Sequence, residues 1–110
     1  MANKVRGQIA APFEGGKINL MLSTNAICEL EDAANRPITD LLEDLNDTTR
    51  PRMKIVRLLF WAMMLDERPE ATIADAGRLI DEVRGDHDRI MMDAILAAFP
   101  DAKEDGEPGK

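Results

Sequence analysis

Apolar residues fall at every second position at the start of the chain: Val5, Ile9, Ala11 and Phe13 share one face, and Ile18, Leu20 and Leu22 share another. Period two predicts two strands, with Glu14-Gly15-Gly16-Lys17 as the turn between them. A hairpin centred on the two glycines sets Phe13 opposite Ile18, Ala11 opposite Leu20 and Ile9 opposite Leu22. Pro12 then selects the loop. A two-residue loop there would put Pro12, which has no N–H, at a hydrogen-bonded position. A four-residue loop closed by Phe13 and Ile18 avoids that conflict and is the expected form.

From Ser23 onward the period becomes helical. Ser23 or Thr24 caps a helix that carries Ala26, Ile27, Leu30, Ala33 and Ala34 and ends near Asn35, a residue that tolerates left-handed backbone. Pro37 and Thr39 open a short helix with Leu41, Leu42 and Leu45 inside. Asn46-Asp47-Thr48-Thr49 breaks it, and Pro51 starts a long helix through Leu65 that is apolar nearly all round and therefore central. Thr72 with Asp75 resembles a capping box, ahead of a stripe of Ile73, Ala76, Gly77, Ile80 and Val83 that stops at Gly85. The last helix runs from about Asp86 to Phe99 with Ile90, Met91, Ala94, Ile95 and Ala98 on its inner face. The expected fold is α+β, mostly α: an N-terminal β-hairpin and about five helices in a small bundle. Residues 1–99 form a single domain, and 100–110 form an acidic tail without large apolar residues, expected to be disordered. A lone hairpin is marginal in water, so its apolar face must pack on the helices or on a second copy's hairpin.

The chain has 110 residues, 45% of them apolar, and a formal charge of −7. One domain of this size buries roughly 65% of its unfolded surface, enough for a core without disulfides or metal. The acidic balance argues against nucleic acid as a partner. The single cysteine suits a reducing cytoplasm. The most apolar stretch, Ile55 to Leu65, is well short of the ~20 residues that span a bilayer, so no membrane partner is expected.

Catalytic chemistry is hard to find, and no enzyme is expected. Gly15-Gly16 lacks the residues and helix of a phosphate loop. Asp86-His87-Asp88 has metal-ligand residue types, but three adjacent side chains diverge. The aspartates are better read as capping the last helix, with His87 leaning over Ile90 and Met91. No cofactor is implied. Cys28 lies about 150° from the stripe of its helix and should be accessible, with no basic group nearby to activate it.

Two features point to a binding surface instead. Arg50, Arg52, Lys54 and Arg57 crowd the start of the long helix, where positive charge opposes the macrodipole. They read as a site for an acidic partner, or as a solvated face pairing with Asp40, Glu43 and Asp44. Arg57 and Trp61, four residues apart, are placed for a cation–π contact. Methionine is abundant, and Met63-Met64 and Met91-Met92 are doubled. One of each pair should point away from its own core, either as an adaptable apolar surface or as filler between elements.

Three segments carry a family resemblance: Asn25-Ala26-Ile27-Cys28-Glu29-Leu30-Glu31, Leu58-Leu59-Phe60-Trp61-Ala62, and Asp75-Ala76-Gly77-Arg78-Leu79-Ile80-Asp81-Glu82-Val83. In order and spacing, over about residues 5 to 99, they resemble the small tail assembly chaperones of long-tailed phages and gene transfer agents, sometimes labelled gene-transfer-agent-type tail tube proteins. The chain has Asn35 where the family is expected to have glycine. The resemblance implies a phage or prophage chaperone in the host cytoplasm that binds the tape-measure protein and assists tail tube subunits to polymerise around it. The partner-binding residues expected on this reading are Arg50, Arg52, Lys54, Met63, Met64, Met91 and Met92. Self-association, and a longer frameshifted form, are left open. Two other classes compete: a structural component of the tail, tube or completion protein, and a helix-turn-helix regulator built on the Thr72 to Phe99 helix pair, which Asp86, Asp88 and Asp93 around Arg89 disfavour.

Overall fold

The computed structural model describes residues 7–100 apart from Thr48 and Arg50. The expectations for Val5, Arg50 and the acidic tail beyond Pro100 lie outside those residues. A β-hairpin, β1 (Ile9–Phe13) and β2 (Gly16–Leu20), precedes five helices: α1 (Thr24–Ala34), α2 (Ile38–Asn46), α3 (Met53–Met64), α4 (Ile73–Glu82) and α5 (His87–Ala98). The class is α+β, mostly α, as the hydrophobic periodicity predicts.

The hairpin register differs from expectation by one pair of residues. Ile9 pairs with Leu20, Ala11 with Ile18, Pro12 with Lys17 and Phe13 with Gly16. The loop is Glu14-Gly15 alone, both left-handed at φ 55° and 82°. Two successive positive φ angles define the turn whose twist matches that of the strands, and this geometry outcompetes the four-residue loop. Counting back from the closing pair puts Pro12 at a non-hydrogen-bonded position, so its missing N–H costs nothing. A shift of two residues leaves every side chain on its own face, so the inward set survives the change of register. Ala11, Phe13, Ile18 and Leu20 are all buried against this chain's own helices. The strand leading from β2 to α1 is tied to α3, the Met21 N–H donating to the Met63 carbonyl at 3.1 Å.

Local side-chain capping sets the starts of α1 and α4 as expected, whereas α3 starts at Met53, two residues after the expected Pro51, with no side-chain cap. The Ser23 hydroxyl accepts from the Ala26 N–H, and Asn35 closes α1 in the left-handed conformation. Thr72 and Asp75 form the reciprocal capping box of α4. Pro37 opens α2 without a side-chain cap; instead the Glu31 carboxylate of α1 accepts the Ile38 N–H at 2.7 Å. Asp86 does not cap α5 with its side chain as predicted. Its carboxylate is bonded to Arg89 at 2.9 and 2.6 Å, a two-point contact that satisfies the charge better than one backbone N–H would.

α3 is the central element, with Val56, Leu59, Phe60, Ala62, Met63 and Met64 buried. α1, α2, α4 and β2 pack around it. α4 adds Leu79, which its predicted stripe omitted, and α5 closes the hairpin side with Ile90, Met91, Ala94 and Ile95. No described side chain that is polar or charged is buried. The connector between α3 and α4 holds the hairpin turn: Arg68 lies over the Phe13 ring at 4.9 Å and pairs with Glu14 at 3.1 Å.

Candidate functional site

The surface of the bundle carries two apolar grooves, and the residues singled out from sequence divide between them and the core. The first groove lies between α2 and α5, has a volume of about 470 Å³, and is lined by Leu42, Leu45, Met91, Met92, Ile95 and Leu96. Helical periodicity builds it from both sides. On α2, Leu41 and Leu45 turn to the core, which leaves Leu42 half-buried at the groove wall. On α5, Ile90, Met91, Ala94 and Ile95 face inward, so Met92 and Leu96, four residues apart, form the outer rim. Met92 is 44% exposed. One cation and one carboxylate, Arg52 and Asp88, sit at its polar edge. Arg52 Nη1 donates to the Leu45 carbonyl at 3.1 Å and so closes the end of α2.

The second groove lies between α3 and α4, has a volume of about 450 Å³, and is lined by Met53, Lys54, Arg57, Gly77, Arg78 and Ile80 among others. Met53 is 52% exposed, more than any other large apolar side chain described. A more polar hollow opens beside Trp61, whose indole N–H donates to the Ala71 carbonyl at 2.9 Å.

Of the predicted partner-binding residues, Met91, Met92 and Arg52 come together at the first groove, and Lys54 lies at the second. Arg50 lies outside the described residues. Met63 and Met64 do not reach the surface: both are fully buried, because the C-terminal half of α3 is covered on nearly all sides. They are core filler, and the expectation that one of the pair points outward is corrected. The Arg57–Trp61 contact is also absent; the Arg57 stem turns over Gly77 instead, and the cation–π contact among the described residues is that of Arg68 with Phe13. Asp44 is held by Arg36 at 2.8 Å. Leu42, Leu96 and Met53 were not singled out from sequence. For Met53 a signal existed, since it shares the exposed stripe of α3 with Arg57 four residues later.

The titratable groups describe a scaffold. Hydrogen bonding from the Thr72 backbone N–H, aided by Arg78, holds the Asp75 carboxyl below the usual carboxylate range. The hydrogen bonds and charge of Arg89 do the same for Asp86. Both sit at helix starts outside the apolar walls of the grooves. Arg89 is bound on its other side to Asp93 at 3.1 Å, so the charge on α5 that a duplex phosphate would meet is already engaged. Among the described residues no three His, Cys, Asp or Glu side chains converge as metal ligands. Cys28 is exposed, as its helical phase predicts. The Ser23 hydroxyl is occupied by Asp66 and by the α1 N-terminus. His87 Nε2 stands 3.6 Å from Asp88, and its buried Nδ1 has no partner among the described residues. No described helix is long and apolar enough to cross a membrane.

Compared with protein-family models, curated proteins and solved structures, the chain returns no match.

Proposed function

We propose that this protein is a tail assembly chaperone of a phage, prophage or gene transfer agent, one that works by covering the apolar stripe of the tape-measure protein and carries no reactive group of its own. The observation that supports this most is the α2/α5 groove, an apolar trough with the flexible Met92 and Leu96 along its rim. A tape-measure protein is expected to be a long amphipathic helix that aggregates alone, and a groove between two helices is the complementary receptor. Unbranched methionine adapts to successive apolar residues along such a helix. Completing the burial of Leu42, Met92 and Leu96 contributes on the order of 3 kcal/mol, a modest gain that arriving tube subunits could overcome. The net charge of −7 favours a soluble loaded complex in the host cytoplasm.

The test is co-expression of the tape-measure protein encoded in the same gene cluster with the parent chain, with Met92→Asp/Leu96→Asp, and without either. The parent raises soluble yield and co-purifies, and the double variant does neither while remaining folded by circular dichroism. Equal yield and equal co-purification in all three arms would refute the proposal. Mass spectrometry of purified particles separates a chaperone, which is missing from them, from a structural tail component, which is retained.

A further inference from the structure

The α3/α4 groove differs from the first in its charge. It is lined by the apolar Met53, Ala74, Gly77 and Ile80 and by three cations, Lys54 and Arg57 from α3 and Arg78 from α4. A Cβ built at Gly77 would touch Arg57 Cδ at 3.6 Å, so the Arg57 stem lies over Gly77. Among the described residues, Lys54 and Arg57 make no ion pair or hydrogen bond. Arg78 is bonded to Asp75, and the one carboxylate of the lining, Asp81, is bonded to Arg84 at 2.8 Å. The chain has 21 acidic residues with which to neutralise 14 basic ones. Yet among the described residues Lys54 and Arg57 stand unpaired beside Met53, the most exposed large apolar side chain of that set.

We propose that the α3/α4 groove docks an acidic amphipathic helix of a partner polypeptide. The partner's apolar stripe meets Met53, Ala74, Ile80 and the apolar stem of Arg57 over Gly77. Its flanking carboxylates meet Lys54 and Arg57. Charge complementarity selects this occupant: the chain carries a net charge of −7, yet this lining holds three cations and one carboxylate. A second copy joined face to face would set Lys54 and Arg57 against their own duplicates, so a symmetric dimer is disfavoured. The proposal uses none of the α2/α5 residues and stands or falls apart from the chaperone reading.

The experiment titrates the full chain into three labelled synthetic helical peptides of about five turns, roughly 18 residues. One has leucines at i, i+3, i+4 and i+7 flanked by glutamates. The second replaces the glutamates by lysines, and the third replaces the leucines by serines. Fluorescence anisotropy reads affinity, and backbone amide chemical shifts read location. The acidic leucine peptide binds at least about tenfold more tightly than either counterpart, and its affinity falls between about 0.02 and about 0.3 M salt. Shifts concentrate at 53–57 and 74–81. K54E and R57E each weaken binding by about threefold or more, whereas K17E, an equal charge change on the hairpin, changes it by less than about twofold. Equal binding of the lysine or serine peptide, equal loss in K17E, or shifts concentrated at 42–46 and 91–96 would overturn the proposal. So would equally tight binding of a short DNA duplex. Salt-sensitive self-association in light scattering that K54E abolishes would reassign the face to contacts between copies.

Discussion

Gly77 sits in the middle of α4, where its backbone angles are those of a helix and no positive φ requires glycine. Gly77→Ala should therefore stabilise the fold. The added Cβ meets Arg57 Cδ at 3.6 Å, an ordinary van der Waals distance to a flexible side chain, so no clash opposes it. Replacing glycine by alanine inside a helix gains about 0.8–1 kcal/mol through the reduced entropy of the unfolded chain. Half-burial of one methyl adds on the order of 0.3 kcal/mol. The sum, about 1 kcal/mol, corresponds to a rise in Tm of about 4–8 °C for a domain of this size. Thermal melting by circular dichroism, with a urea titration at unchanged slope, measures it. The same methyl narrows the α3/α4 groove, so affinity for the acidic peptide should fall while stability rises. That opposition is what a position held open for binding produces. A Tm at or below that of the parent would refute the reasoning, because it would mean that α3 and α4 leave no room for a methyl.

Three further outcomes test the fold. Glu14→Asn should stabilise by about 0.5–1 kcal/mol, since asparagine tolerates the left-handed turn position at less cost than glutamate and the lost surface pair with Arg68 is worth only a few tenths; urea denaturation showing a net loss would mean the ion pair dominates. Leu30→Ala, at a position 1% exposed, should cost about 2–5 kcal/mol in the same assay, and a loss under 1 kcal/mol would place Leu30 outside the core. Asp75 and Asp86 have folded pKa values below their ordinary 3.8. Their contribution to stability is therefore present above about pH 4 and lost as pH falls through the folded values. NMR titration should find both midpoints depressed, and Arg89→Ala should return Asp86 toward the ordinary value while leaving Asp75 in place.

The parts of the fold legible in the sequence are those governed by neighbours in the chain. Ser23, Asn35 and the Thr72–Asp75 pair act within four residues of themselves, so their caps can be read directly. The inward face of the hairpin is legible for the same reason, because period two survives a shift of two residues. The register is not: Gly15-Gly16 offers two turn centres, and the choice depends on Glu14 accepting a positive φ. Contacts that join distant elements leave no local trace. Glu31 capping α2, Arg68 over Phe13 and the Met21–Met63 backbone bond belong to this class. The candidate sites show the same division. Met92 could be anticipated from helical phase, but Met63 and Met64 could not be assigned to the core until the elements around the end of α3 were in place. Leu42 and Leu96 acquire meaning only as opposite walls of one trough.

The covering of the hairpin has a further consequence. A two-stranded sheet ends in two open borders, and an unprotected border invites strands from other molecules to add on. On β2 the outward Asn19 N–H is claimed by the Glu67 carboxylate at 2.6 Å. On β1 the outward position at Pro12 has no donor at all. Each border thus offers one donor fewer to an incoming strand, which hinders the growth of intermolecular sheets from the hairpin.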